Sequence, residues 1–207
     1  MNMIRSSYSP VLVALSLLAV AASAGTYNKQ LSIGDAAPNW KNLEGTDGKK
    51  HSLADLADKE VIVVCFTCNT CPYAVDYEDR LIALAKKFAA EGNRCALIAI
   101  NANKVKDDLL PAMQERTKAK GFNFPYLHDE TQQVARSYGA TFTPEFIVLN
   151  KNRKVVYLGA MDDSPDGKNV TKRYLEDAIS AALASRPPTI TETPAVGCAV
   201  RYVTERK

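Results

Sequence analysis

Residues 61–73 read Val-Ile-Val-Val-Cys-Phe-Thr-Cys-Asn-Thr-Cys-Pro-Tyr. The apolar, β-branched run Val61–Phe66 is the pattern of a strand covered on both faces. Cys68 and Cys71 follow, two residues apart, and Pro72 comes next. Beyond it Tyr77, Leu81, Leu84, Ala85 and Phe88 form a helical stripe that stops at Gly92. A strand, a Cys-x-x-Cys and a helix make the layout of a dithiol/disulfide centre.

The chemistry needs this arrangement. A thiol attacks only as its thiolate, and a free cysteine has a pKa of about 8.5. Unpaired amides at a helix N-terminus favour the charged form. Cys68 is therefore expected to attack, with Cys71 one turn on as the resolving thiol. Pro72 fits the first helical turn, where its missing N–H costs no bond.

On either side, elements alternate. Before the centre, an irregular lead-in over 26–42 is followed by a short strand at Lys49–Leu53 and a helical turn at Leu53–Ala57. After it, Cys95–Ile100 reads as a second buried strand ending in the polar Asn101-Ala-Asn103. A largely polar helix lies between Pro111 and Gly121, then a short strand over Phe124–Leu127. Asp129 and Gln132 have capping-box spacing for a helix through Tyr138. Phe142–Leu149 and Lys154–Leu158 form a hairpin around Lys151-Asn152, and Leu175, Ala178, Ile179, Ala182 and Leu183 line a last helix. The order β-α-β-α-β-α-β-β-α implies a mixed sheet, parallel where helices cross over and antiparallel at the hairpin.

Thr143-Pro144 opens the hairpin strand. Given the dithiol upstream it is read as a cis turn; an ordinary trans proline at a strand start is the alternative.

Phe66-Thr-Cys-Asn-Thr-Cys-Pro-Tyr73, Tyr77-Glu-Asp-Arg-Leu81, Ile100-Asn-Ala-Asn103, Phe124-Pro-Tyr-Leu-His-Asp-Glu-Thr131, Thr143-Pro-Glu145 and Pro194-Ala-Val-Gly-Cys198 occur in that order. Together they resemble the redoxin (AhpC/TSA-type) branch of thioredoxin-like proteins, near the TlpA-like thiol-disulfide oxidoreductases. The resemblance implies an α/β thioredoxin-like fold, a central mixed sheet flanked by helices, with an N-terminal extension and a C-terminal tail. It implies redox-active Cys68 and Cys71, a cis Pro144 beside them, and substrate contacts from Phe66, Thr67, Pro72 and Thr143. The backbone of Thr143 would pair with an extended peptide bearing the target cysteine. The chain departs from the pattern at Thr67, where thioredoxins carry Trp. It departs again at Ala74, three residues past Cys71, near where many TlpA-like proteins carry Glu.

Rival readings use the same residues. A thiol peroxidase with an antioxidant role is the nearest, but its P-x-x-x-T-x-x-C pattern is absent: Val61 and Cys65 stand at the required positions before Cys68. Cys65, Cys68 and Cys71 make a C-x2-C-x2-C-P run without a fourth iron–sulfur ligand. A Sco-like copper chaperone needs a C-x3-C spacing and a distal histidine; only His51 and His128 exist. Asp162-x-Ser164-x-Asp166-Gly167 starts like a calcium loop, but Arg173 occupies the position of the bidentate Glu, so a solvated turn is expected. Neither cofactor nor metal is implied.

Two cysteines stand apart. Cys95 lies in an apolar strand and reads as inert. Cys198 follows Gly197 in the Pro-flanked tail and is either a packed thiol or a third redox cysteine, reaching the dithiol or bonding Cys65.

The first 24 residues carry Arg5, an apolar run and Ala22-Ser23-Ala24, the parts of a secretory signal. The run is shorter than the roughly 20 residues of a membrane span. The expected organisation is a signal over 1–24, a thioredoxin-like domain over 25–186 and a tail over 187–207. The product would be exported, periplasmic or secreted, without stable membrane insertion. Export places its five cysteines where disulfides persist. The net charge of +3, scattered among acidic residues, argues against nucleic acid. The expected partners are thiol- or disulfide-bearing proteins and a redox partner protein.

Overall fold

The structure, a computed structural model, describes residues 25–204. The expected signal segment lies outside the described residues. Seven strands form one sheet: β1 (Leu43–Gly45), β2 (Lys50–His51), β3 (Val61–Phe66), β4 (Cys95–Asn101), β5 (Tyr126–His128), β7 (Glu145–Leu149) and β8 (Val155–Gly159), in the order β2-β1-β5-β4-β3-β7-β8. The pairs β3–β4 and β4–β5 are parallel, and the remaining pairs are antiparallel. β6 (Phe142–Thr143) and β9 (Cys198–Ala199) make a separate two-stranded ladder.

β3 sits near the middle, and every one of its residues is buried. Its alternation feeds two cores. Val61, Val63 and Cys65 face α1 (Pro72–Ala90) and α4 (Tyr174–Leu183), packing with Tyr77, Leu81, Phe88, Leu175 and Ile179. Ile62, Val64 and Phe66 face α3 (Gln133–Ser137) and the lead-in, packing with Trp40, Val134 and Tyr138. Burying each such side chain stabilises the fold by about 1.5–3 kcal/mol. Coverage on both faces is why the run reads as apolar without a break. α2 (Leu110–Lys120) buries only Met113, as its polar faces foretold, and ends at Gly121 with φ 68°.

Several boundaries differ from the sequence reading. The expected strand Phe142–Leu149 is broken at Pro144, so β6 and β7 belong to different sheets. The helix expected from Asp129 starts at Gln133, because Gln132 adopts φ 63°. The Asp129 carboxylate instead accepts from Ala135 N, inside that helix. The strand near residue 124 begins two residues later, at Tyr126, and β1 and β9 were not foreseen. The tail does not stand apart: Thr193 pairs with Leu158, and β9 with β6. Among the described residues, no helix is long and apolar enough to cross a membrane.

Candidate active site

β3 and β4 run parallel and end side by side, and the loop 67–71 leaves β3 there on its way into α1. The crevice beyond the carboxyl ends of parallel strands is where α/β folds place their chemistry. One buried side chain holds the loop. Asp108 accepts from Asn69 N at 2.7 Å, Thr70 N at 3.2 Å, Thr70 Oγ1 at 2.7 Å and Asn103 Nδ2 at 3.1 Å. Asn101, at the end of β4, donates to the Asp108 carbonyl and to the Tyr126 hydroxyl, which in turn donates to Asn69 Oδ1. Each atom around the Asp108 carboxylate is a donor. The loop is thus fixed through its backbone and the Asn69 and Thr70 side chains; Cys71 stands outside this network and Cys68 meets it only at Thr70 Oγ1, 3.9 Å away.

Both thiols converge on Thr143. Cys68 Sγ lies 3.3 Å from Thr143 Oγ1, and Cys71 Sγ donates to the Thr143 carbonyl at 3.1 Å. The Thr143–Pro144 bond is cis. Cys198 packs on the same cluster, opposite Thr143 in the β6–β9 ladder. All five cysteines are free thiols.

The helix end falls on a different sulfur than expected. α1 begins at Pro72, so Cys71 is its N-cap and Cys68 lies three residues outside. Burial opposes ionisation of Cys71, but hydrogen bonds from the Cys198 side chain and the Ala74 N–H outweigh it, and its pKa lies below the ordinary thiol value. Burial pushes Cys68 up; the Thr143 hydroxyl opposes the rise and the nearby Asp108 carboxylate adds to it. Cys198 is raised to about 11 by burial and by Cys71 beside it. With the tail docked, the more acidic thiol is Cys71, the reverse of the order expected from the motif.

The other predicted residues divide. Pro72 occupies N1 of α1, next to the cluster. Thr67 is buried and its N–H donates to Ile100 O. Phe66 has 1% of its surface exposed and its ring lies 5.6 Å from that of Tyr138, tilted, on the face of the sheet opposite α1; it belongs to the core and offers a substrate no contact. Cys65 packs with Tyr77 and Phe146 rather than with the sulfur cluster, so the C-x2-C-x2-C run does not converge and Cys198 does not reach it. Burial pushes Cys65 far up, and Cys95 to about 11. Among the described residues, no three His, Cys, Asp or Glu side chains are grouped as a metal ion would need.

The calcium-like loop is a turn whose Asp163 and Asp166 are exposed and whose Asp162 and Ser164 are buried. Arg80 of α1 bonds its buried side, donating to Asp162 Oδ2 at 2.7 Å and to the Pro165 carbonyl at 2.6 Å.

The Redoxin family model matches residues 32–178. The chain belongs to the Redoxin family. Among curated proteins, this redoxin is similar to the thiol-disulfide oxidoreductase ResA of Bacillus thuringiensis, with 26% identity over 133 residues, 63% of this chain and 71% of that one. Among solved structures it is similar to a hypothetical protein from Sinorhizobium meliloti, at 33% identity and TM-score 0.78, covering 86% of this chain and 99% of that one. A putative thioredoxin from Neisseria meningitidis shares the fold at 20% identity and TM-score 0.56, over 72% of this chain and 89% of that one. This redoxin is accordingly a thioredoxin-like oxidoreductase.

The sequence reading missed the polar half of the redoxin's site. Asp108 has no motif to mark it, and Asn101-Ala-Asn103 reads only as a polar loop, whereas Asn101 and Asn103 are buried. The available signal was position: two asparagines at the carboxyl end of an apolar parallel strand, where ligands and buried polar groups gather. Glu145 was also missed. It is buried directly after Pro144 and accepts from Thr141 N and Phe142 N, holding β6 in place, while burial raises its pKa.

Proposed function

We propose that this redoxin is an exported enzyme that exchanges disulfides through the Cys68–Cys71 pair, acting on disulfide- or thiol-bearing proteins and recycled by a redox partner protein. The observation that carries the reading is the convergence of both sulfurs on Thr143, beside an edge that can pair with an extended peptide. The signal-like pattern of residues 1–24 supports export.

Cys68 stands on the loop outside the helix and is the sulfur that meets the substrate. Its thiolate attacks one sulfur of a substrate disulfide; the S–S bond breaks, a mixed disulfide forms, and the other substrate sulfur leaves as a thiolate and takes a proton. Cys71, the more acidic thiol, then attacks Cys68 Sγ as its thiolate. The mixed disulfide breaks, the second substrate thiol is released, and Cys68–Cys71 remains oxidised. Substrate has gained two electrons and the enzyme has lost two. The partner returns them, or the cycle runs in reverse.

Turnover of a peptide disulfide by the Cys68→Ser and Cys71→Ser variants tests this. Cys68→Ser is expected to lose at least about 100-fold, and Cys71→Ser to trap a mixed disulfide on Cys68. Full turnover by Cys68→Ser would refute the cycle. Saturable consumption of hydrogen peroxide, with a sulfenic acid on Cys68, would point to a peroxidase instead.

A further inference from the structure

The edge that the proposed function reserves for a substrate is already occupied. β9 lies antiparallel to β6, with Cys198 opposite Thr143 and Ala199 opposite Phe142. The pairing continues through Val200 N, which donates to the Thr141 carbonyl at 2.9 Å. The ladder sets the Cys198 side chain against Cys68, Cys71 and Ala74. Its thiol packs close enough to Cys71 to favour the Cys71 thiolate. The position before Cys198 makes the approach possible: a Cβ on Gly197 would lie 2.1 Å from the Thr143 carbonyl oxygen and 2.7 Å from its carbon, both backbone atoms.

We propose that the tail is docked as an internal substrate and that Cys198 is a third redox cysteine, forming a disulfide with Cys71. The inference rests on the exchange reading above. Starting from the oxidised Cys68–Cys71 pair, Cys198 loses its proton and attacks Cys71 Sγ. The Cys68–Cys71 bond breaks, the Cys71–Cys198 bond forms, and Cys68 leaves as a thiolate that takes up the proton. No electrons enter or leave, so no further oxidant is needed. The product holds the tail covalently across the Thr143 edge and leaves Cys68 without its resolving partner. It is a latched form that external peptides cannot enter. Reduction of Cys71–Cys198 by two electrons restores the three thiols.

The test uses the full chain, reduced and then equilibrated with oxidised glutathione. Free thiols are blocked with N-ethylmaleimide, and disulfides are mapped by non-reducing digestion and mass spectrometry. Wild type should contain both Cys68–Cys71 and Cys71–Cys198 linkages. Cys68→Ser should accumulate Cys71–Cys198, and Cys198→Ser only Cys68–Cys71. Gly197→Val, which denies the tail its place against Thr143, should cut the Cys71–Cys198 linkage at least tenfold. The proposal is overturned if Cys68→Ser leaves Cys198 fully alkylated while wild type closes Cys68–Cys71; the exchange reading then stands alone. Undiminished Cys71–Cys198 in Gly197→Val also overturns it, since strand docking would not be what delivers Cys198. Absence of Cys68–Cys71 from both wild type and Cys198→Ser removes the exchange reading and the tail proposal with it.

Discussion

The loop 67–71 carries the two sulfurs, the tail 193–204 packs on them through Cys198, and the two segments are held by different means. The loop gathers most of its bonds on one buried carboxylate, Asp108, with Tyr126, the Asp107 carbonyl and the Ile100 carbonyl adding one each. The tail hangs on many small attachments. Thr193 bonds Tyr157 and Ala160, Arg201 N donates to Asn103, Gln132 spans Arg201 and Val203, and the Tyr202 hydroxyl donates to Ala140 O. A segment tied at one buried charged centre is lost all together with the fold. Beyond the buried Thr193, the tail is tied by half-buried single bonds, and such a segment opens piece by piece, with free energies well below that of global unfolding. The difference suits a site whose thiols must stay aligned while their cover comes and goes.

Removing the main anchor should produce the largest effect. Asp108→Ala leaves the Asn69 and Thr70 amides and the Asn103 side chain without their acceptor in a buried place. A loss of about 3–5 kcal/mol is expected from stranding such a charge-assisted network. The urea midpoint of the reduced protein measures it. A drop below about 1 kcal/mol would mean that the loop is not held by Asp108.

The tail should answer more locally. Gln132→Ala removes the donor to the Ala102 and Arg201 carbonyls and the acceptor for Val203 N. About 2 kcal/mol of local protection is expected to go, roughly a 30-fold faster amide exchange at Val203, with little change in the urea midpoint. Equal losses in both measurements would erase the contrast between the two segments, because the tail would then open only when the whole domain does.

How far the sequence could be read follows the same division. Val61–Phe66, the α1 stripe and the hairpin announce themselves because apolar periodicity is a local signal. The positions of Cys68, Cys71 and Pro144 follow from motif and resemblance. The polar scaffold was hidden, since nothing in Asn101-Ala-Asn103 or Asp107-Asp108 states that the side chains point inward together. The pairing of Cys198 with Thr143 was hidden too, as it joins residues 55 apart in sequence through a ladder of two residues. Capping-box spacing at Asp129 misled because Gln132 is recruited by the tail and takes a left-handed conformation. Phe66 was expected to meet substrate, but alternation along β3 turns it, with Ile62 and Val64, into the core on the face opposite α1.

The smallest effect sharpens the contrast at a single hydrogen bond. With the tail docked, Cys71 ionises below an ordinary thiol and Cys68 above it. Alkylation of Cys71 by iodoacetamide should therefore rise with pH and level off before that of Cys68, whose rate keeps climbing past the ordinary thiol range. Cys198→Ala removes the side-chain donor to the Cys71 sulfur while leaving the ladder's backbone bonds. One hydrogen bond to an ionised acceptor is worth about 1.5 kcal/mol, so Cys71 should react about tenfold more slowly at pH 7, with its profile moved to higher pH. The Cys68 profile should move slightly the opposite way, if at all, because its rise comes from burial and Asp108 rather than from the tail thiol. If instead both profiles move together, the tail acts on the site only as a lid that excludes water, and the thiol of Cys198 has no separate part in setting the acidity of Cys71.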